Sequence, residues 1–542
     1  MATAASWLAL LVSAAAVAAA WVWGWYAWRL RAVARRFAAR GVRGPRYEFL
    51  RGCNEEVRRM KAAAAAAAEL GVRDHDYLRR IMPHFVAWKD LYGGTFLFWN
   101  GPQPRICISD YEMVKKILLN KYGHFVKNDA HPTILAMIGK GLVLVEGAEW
   151  VRHHRVVSPA FAMDKLKMMT KTMVSCAECF IKEWQYQACN SKSIEIEVEF
   201  NKQFQELTAD VICHTAFGSS YKEGKEVFHA QKQLQANLMA TILNVQLPGF
   251  KYLPTKGNRC KWMLEKKMKN TLMQIIQSRL ASKGNGYGDD LLGVMLDACF
   301  TTEQGQKQDE QILSMDEIIH ECKTFFFVGH ETTSHLLTWT MFLLSVYPEW
   351  QERLRQEVMR ECGKENPNAD KLIELKEVGT YMPLRGLHNQ LINLYNQHCS
   401  LMLQMTMVLL ETLRLYTPVI FMFRKPITDM NLPRGTPVVI PIPMLHRDKE
   451  VWGDDANEFN PLRFQNGVTK AAKIPHAFLG FSVGPRSCIG QNFAMLEAKS
   501  AIAMILQRFS FTLSPNYVHA PADQLTLQPK FGLPILVRPL DA

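Results

Sequence analysis

Ten residues near the C-terminus concentrate the chemistry of this chain: Phe481-Ser-Val-Gly484-Pro-Arg486-Ser-Cys488-Ile-Gly490. The spacing F-x-x-G-x-R-x-C-x-G sets one cysteine in a tight turn, an arginine two positions before it and a glycine two after. An apolar helical stretch opens at Gln491. A cysteine at a helix N-terminus meets backbone N–H donors and the positive end of the dipole, and both favour thiolate over thiol. A thiolate aimed out of a glycine-rich turn, with a cation beside it, suits an axial ligand to iron. The bland alternative is one more structural thiol among twelve cysteines, but too many residue types are fixed around Cys488 for that to be the better reading.

Three other stretches could support such a centre. Helical periodicity predicts a long rod from Met315 to Tyr347, opened by an S-x-x-E capping box at Ser314 and Glu317 and stopped by Pro348. In its middle stand Val328-Gly329-His330-Glu331-Thr332-Thr333. Glycine and paired threonines are poor helix-interior choices, the glycine alone costing roughly 1 kcal/mol. Gly329 leaves room for a small ligand, and the Thr332 hydroxyl can displace a backbone hydrogen bond. His330 reads as a packed or solvated side chain. Glu411-Thr-Leu-Arg414 sets acid and base three residues apart on one helix face, and Pro461-Leu-Arg463-Phe464 adds a second arginine.

Taken in this order, these segments resemble the cytochrome P-450 superfamily over roughly residues 30 to 540. Phe325-Phe-Phe, Trp452-Gly-Asp-Asp-Ala-Asn-Glu-Phe459 and His476-Ala-Phe are similar to the plant clan of hormone and fatty-acid hydroxylases. The resemblance implies a mainly α fold with a minor β-sheet and heme b held by Cys488. Phe481 would cover the sulfur, Arg486 would reach a haem propionate, and Gly490 would let the backbone pass close to the porphyrin. Glu331 and Thr332 match the acid–alcohol pair of oxygen activation. Glu411, Arg414 and Arg463 match the brace beneath the haem loop. Trp150 and Arg424 match propionate partners, and His154 stands where the family's W-x-x-x-R motif has arginine. The implied activity is hydroxylation of a hydrophobic small molecule, such as a plant hormone, fatty acid or terpenoid. Electrons would come from an NADPH-cytochrome P-450 reductase docked on the face near Cys488. A P-450-type lyase or isomerase would need no protons, and its distal helix should lack the acid–threonine pair that this chain has.

The N-terminus bounds the setting. Ala2 to Trp28 carry no charge, more than the roughly 20 residues that cross a bilayer. Aromatic residues Trp21, Trp23, Trp25, Tyr26 and Trp28 crowd the end of that run. Eight arginines follow between Arg29 and Arg51 against the single acid Glu48, which holds the following domain in the cytosol. No charged n-region precedes the apolar run, so an uncleaved anchor is favoured over a signal peptide. The prediction is a single-pass endoplasmic reticulum anchor over 1–28, a basic and polar linker over 29–60 and a haem-thiolate domain over 61–542. The linker's arginines supply much of the net charge of +13, and no nucleic-acid-binding motif accompanies them. Scattered cysteines without a framework fit reduced thiols, and Cys176-Ala-Glu-Cys179 reads as structural. The alanine run Ala62 to Ala68 predicts a surface helix.

One segment does not belong. Val378 to Gln404, 27 residues without clean periodicity, separates a leucine-rich helix from the Glu411 helix, which the family joins almost directly. Valine codons begin GT and glutamine can be CAG, so the segment's ends can encode splice sites. A retained intron is the reading favoured over a natural surface loop. An insert beside the brace also raises the alternative of a catalytically impaired, P-450-like membrane protein. Asp429 to Pro433 is likewise shorter than the family's hairpin.

Overall fold

The computed structural model describes residues 32–67, 69–120, 123–190, 195–244, 249–281, 286–300, 313–373, 403–428 and 433–540, with isolated positions between 7 and 30. Twelve helices carry the argument. They are α1 (Asn54–Ala66), α2 (Tyr111–Leu119), α3 (Pro132–Ile138), α4 (Gly147–Val157), α5 (Met163–Asn190), α6 (Phe200–Phe217), α7 (Tyr221–Thr241), α8 (Lys256–Ala281), α9 (Met315–Val346), α10 (Pro348–Cys362), α11 (Leu403–Leu415) and α12 (Gln491–Arg508). The sheets are minor. β1 (Thr95–Asn100), β2 (Gln103–Ile108), β3 (Phe125–Val126), β5 (Phe421–Pro426) and β6 (Val438–Pro441) form a five-stranded sheet in the order β1-β2-β6-β5-β3. Only β2 and β6 run parallel there, with Ile106 opposite Val438. β4 (Ile196–Glu199), β7 (Phe509–Leu513) and β10 (Pro534–Pro539) form a second sheet, and β8 (Pro521–Asp523) pairs with β9 (Leu527–Pro529).

α9 is the axis of the molecule. Its capping box forms as the sequence predicts: the Glu317 amide donates to Ser314 Oγ and the Ser314 amide to a Glu317 carboxylate oxygen. At 32 residues it spans about 48 Å. Nearly all its side chains are buried, on every face, as expected of a helix enclosed by others. α6 approaches it most closely at Gly329. A Cβ there would lie 2.7 Å from Ile212 Cδ1 and 2.8 Å from its Cγ1. The space left by the missing side chain is therefore taken up by α6, which corrects the expectation that Gly329 makes room for a ligand. His330 is packed, its Nδ1 2.6 Å from the Phe326 carbonyl oxygen.

The alanine run does form a helix, but α1 ends at Ala66 and Ala67 turns extended. Among the described residues no helix is long and apolar enough to cross a membrane. The segment 1–28 lies outside them except at Trp7, Ser13, Ala14, Val17, Trp21, Gly24 and Trp28. The segment Val378–Gln404 also lies outside, apart from Leu403 and Gln404, which belong to the first turn of α11. That turn is capped from another helix: Glu357 of α10 accepts the Gln404 amide at 2.8 Å and the Met405 amide at 2.9 Å. On the other side of the segment, Lys499 of α12 donates to the Leu372 carbonyl at 3.3 Å. The described cysteines are free thiols.

Burial pushes the Glu357 carboxyl up to about 7, although the two amides that it caps oppose the shift. An acid whose folded-state pKa lies above its unfolded one binds more protons folded than unfolded between the two values. Wild-type stability should therefore fall as pH rises from about 4.5 to about 7, by up to about 3 kcal/mol for this group at 1.36 kcal/mol per unit. Urea unfolding across that window should show a flatter profile for Glu357→Gln; an identical slope would refute the assignment.

Candidate active site

The brace is assembled from α11 and the segment after β6. Glu411 and Arg414 are both shut off from solvent. All five N–H groups of Arg414 find acceptors. Nε and Nη2 meet the Glu411 carboxylate at 2.7 Å each, Nη1 meets the carbonyls of His446 (2.8 Å) and Ala456 (2.7 Å), and Nη2 also reaches Glu458 O at 3.1 Å. Arg463 is drawn in less tightly, 3.7 Å from Glu411. Its stronger partner is Asp455, at 2.7 and 3.1 Å. Sequence reasoning saw the three members and missed Asp455, which lies in a stretch quoted only for its likeness to the plant clan.

His446 joins this brace to the cysteine loop. Its Nδ1 lies 3.0 Å from the Arg414 carbonyl oxygen, and its Nε2 accepts the Leu479 amide at 2.9 Å. Burial, then the neighbouring Arg414, lowers His446 to about 3, so the ring is neutral. Acceptance at Nε2 puts the proton on Nδ1. The ring also lies parallel to Phe478 at 5.6 Å. No spacing in the sequence marks this histidine.

The loop itself closes on the backbone. The Cys488 amide donates to Phe481 O at 2.9 Å and the Ser487 amide to Gly484 O at 3.0 Å. Gly484 has φ of +82°, and a Cβ there would strike the Leu118 carbonyl oxygen at 2.5 Å, so both turn and packing on α2 demand glycine. Gly490 caps α12 and differs: a Cβ there would meet only Phe161 at 3.9 Å and Cys488 Sγ at 4.0 Å. Among the described residues, chain neighbours apart, nothing else comes within 4 Å of that position. Cys488 has accessible surface, yet desolvation by the surrounding protein raises its thiol, and only the Gly490 amide opposes this. A side chain both accessible and enclosed lines an interior space. The expected thiolate is thus not set by the helix end alone. Nor does Arg486 sit against the sulfur: it pairs with Glu146, donates to Val145 O at 2.8 Å and stacks 4.4 Å over the Trp150 ring.

Around that arginine lies a second anomaly. Burial lowers Lys127 to about 7, with Arg424 and Arg486 adding to the fall. Burial likewise lowers Arg424 to about 10, and among the described residues Arg424 forms no ion pair; it donates to its neighbour Phe423 O at 2.8 Å. Among the described residues Glu146 is the one acid acting on this trio. A buried cationic cluster answered by one acid fits a group carrying two carboxylates, whose charges would favour the protonated form of Lys127 again. Trp150 and Arg424, both named from the sequence, lie at this cluster, and Lys127 was not named as part of it. His154 lies outside the trio, against Trp150 at 4.9 Å and Ser158 Oγ at 3.1 Å.

On α9, Thr332 Oγ1 donates to the Val328 carbonyl at 2.8 Å, one turn back on the same helix. Glu331 points elsewhere. It is buried, accepting from Gln235 of α7 and from Thr526, both at 2.8 Å. Despite its burial the carboxyl stays below its usual value. Against that burial, His335 and then His330 lower it, and the hydrogen bonds from Gln235 and Thr526 add to the fall. The acid and the threonine are neighbours in sequence without touching, and Gln235 and Thr526 are contacts that spacing could not disclose.

Comparison with known proteins agrees with this geometry. The family model described as Cytochrome P450 matches residues 75–381 and 386–535. Cytochrome P450 709B1 of Arabidopsis thaliana is 45% identical over 524 residues, covering 95% of this chain and 94% of that protein. Cytochrome P450 734A6 of Oryza sativa subsp. japonica is 40% identical, covering 94% and 92%. Cytochrome P450 CYP72A616 of Paris polyphylla is 40% identical, covering 98% of each. The chain belongs to the cytochrome P450 family, whose members bind haem through a cysteine thiolate and act as monooxygenases.

Removing Arg414 would strand a buried Glu411 and three carbonyls. Arg414→Ala should cost about 3–5 kcal/mol in urea unfolding, and Arg463→Ala distinctly less, because Asp455 is partly exposed. Equal losses would contradict the division of labour described above.

Proposed function

We propose that this cytochrome P450 hydroxylates a hydrophobic small molecule, a plant hormone, fatty acid or terpenoid, using dioxygen and electrons from an NADPH-dependent reductase. The observation that carries the reading is Cys488 presented into an enclosed space, together with a buried cluster of Lys127, Arg424 and Arg486 answered by Glu146. In this reading Cys488 Sγ would hold the haem iron, and Gly490 leaves the space that a side chain would fill. Lys127, Arg424 and Arg486 would take the carboxylates of the prosthetic group, with the Trp150 ring stacked against Arg486. Phe481 closes the loop through its carbonyl. Haem, when bound, supplies the activation of dioxygen and the oxidation of the substrate.

The chain's own groups do the rest. Glu411, Arg414 and Arg463 fix the brace, and His446 transmits its position to the cysteine loop. Thr332 Oγ1 and Glu331 are the proton-handling pair. Gln235 and Thr526 hold Glu331 through Oε1 alone, which leaves Oε2 as the oxygen that would take and give the proton. The apolar, aromatic lining offered by Phe325, Phe327 and Phe421 suits a hydrophobic substrate.

Segment 1–28 is the anchor in the endoplasmic reticulum membrane, 29–60 the linker and 61–542 the catalytic domain facing the cytosol. Exposed Phe250, Tyr252 and Leu253 support an apolar surface close to the lipid. The reductase docks on the face near Cys488. A second reading, impaired catalysis, is favoured by one observation: the atypical segment leads directly into the first turn of α11, the helix that carries Glu411 and Arg414.

Reduced protein under carbon monoxide tests the first reading. Wild type should give the long-wavelength Soret band of thiolate-ligated haem, and Cys488→Ser should lose it; retention would overturn the assignment. Lys127→Met should retain the band but release haem faster to apomyoglobin, by roughly tenfold for the loss of about 1.4 kcal/mol. Deleting 378–402, which spares the start of α11, should raise the fraction of haem giving that band. A fall in this fraction, or transcripts that always keep these codons, would reject the retained intron.

A further inference from the structure

Arg105 is out of place. It sits in β2 opposite Phe98 of β1, in a sheet that packs into the core. Among the described residues it makes no ion pair, and its buried Nε has no hydrogen-bond partner. Burial is the sole cause that lowers it, to about 10, and no carboxylate acts on it. A desolvated, unpaired guanidinium costs several kcal/mol, so an anion that completes it is the simplest reason for a protein to keep it. Like Cys488, Arg105 retains some accessible surface while enclosed by protein, which means that it too lines an interior space.

Two more ionisable groups converge on it. His131, whose Nδ1 caps the start of α3 by accepting the Thr133 amide at 3.1 Å, feels the charges of both Lys261 and Arg105. Lys261 belongs to α8 and is 8% exposed. A strand, a helix start and a third helix thus bring two cations and an imidazole together. The other end of α3 abuts α9: Ile138 O accepts from Thr324 Oγ1 at 2.6 Å, and a Cβ on Gly139 would lie 2.7 Å from His320 O. Seven residues of helix separate the two ends, about 10 Å at 1.5 Å per residue. A ligand head at Arg105 therefore lies one short helix away from α9, with the partly accessible apolar side chain of Ile134 along the way.

We propose that Arg105, flanked by His131 and Lys261, anchors the anionic head group of an elongated amphiphilic substrate, a carboxylate whose apolar tail runs along α3 towards α9. Arginine suits this role because its planar fork takes a carboxylate in two parallel hydrogen bonds. The inference rests on the monooxygenase reading above and narrows its substrate class. It also gives Arg105 a function that neither the haem loop nor the brace requires.

The test uses full-length holoenzyme in neutral-lipid nanodiscs and carboxylate–alcohol pairs of matched skeleton: dodecanoate with dodecan-1-ol, and a diterpenoid acid with its alcohol. The shift of the haem Soret band reports binding. At least one carboxylate should bind wild type tenfold or more tightly than its alcohol. Arg105→Met should erase that preference and leave alcohol binding unchanged. In the ligand-free state Arg105→Met should melt higher than wild type, because it removes an unpaired charge, and the preferred carboxylate should raise the melting temperature of wild type alone. The proposal is overturned if no carboxylate is preferred, if the variant weakens both partners equally, or if it melts lower than wild type. A phospholipid could supply the anion instead: if Arg105→Met abolishes binding to phosphatidylserine-containing vesicles while the carboxylate preference survives, the head group is a lipid's and the proposal also fails. Failure of the underlying reading looks different, since wild type would then lack the long-wavelength carbon monoxide band.

Discussion

The guanidinium of Arg414 lies beyond the reach of water, and its five N–H groups end on one carboxylate and three backbone carbonyls. Such a group leaves the fold little freedom. A buried charge short of partners costs several kcal/mol, so the residues that supply them must sit where the fork points. Those carbonyls belong to His446, Ala456 and Glu458, all after β6. The pair formed within one turn of α11 therefore dictates the course of a remote stretch of chain. Arg463 and Asp455 then pin that stretch from its other side.

From there the constraint passes to the cysteine. His446 is neutral, carries its proton on Nδ1 and receives the Leu479 amide on Nε2. A two-sided hydrogen bond of this kind fixes distance and direction together. The loop beyond Leu479 is then held by its own amides and by Gly484 pressed on α2. Cys488 is thus positioned by a chain of satisfied polar groups, while the place in front of it is left unsatisfied. Its thiol is desolvated, Lys127 and Arg424 are short of counter-charge, and Gly490 leaves a side chain's space unfilled. This contrast between a scaffold whose central Arg414 is fully paired and a cluster short of counter-charge is the electrostatic signature of a site shaped for a guest.

α9 shows how the same physics treats the opposite face. Its poor helix formers have separate explanations: Gly329 admits Ile212, Thr332 bonds back to Val328, and Glu331 is clasped by Gln235 and Thr526. Only the second was legible from residue types. Gln235 lies 96 positions before Glu331, and Thr526 lies 195 after it. Long-range hydrogen bonds carry no local periodicity, so a linear reading cannot find them.

Local rules were enough for much of this protein. The capping box fixed where α9 begins, proline fixed where it stops, and Glu411 and Arg414, three residues apart, had to meet on one helix face. The glycine-rich turn around Cys488 followed from residue types as well. The sequence could not tell which way side chains turn once neighbours compete for them. It set Arg486 beside the sulfur, whereas Glu146 and the Trp150 ring draw it away. It set His154 where the resemblance has arginine, and had no means of seeing Lys127, which only tertiary packing buries beside Arg424 and Arg486. Arg105 reads in the sequence as an ordinary strand residue, and burial alone makes it exceptional. Spacing along a chain decides which groups can meet within a turn or two, but desolvation and charge balance depend on everything that surrounds a group in space.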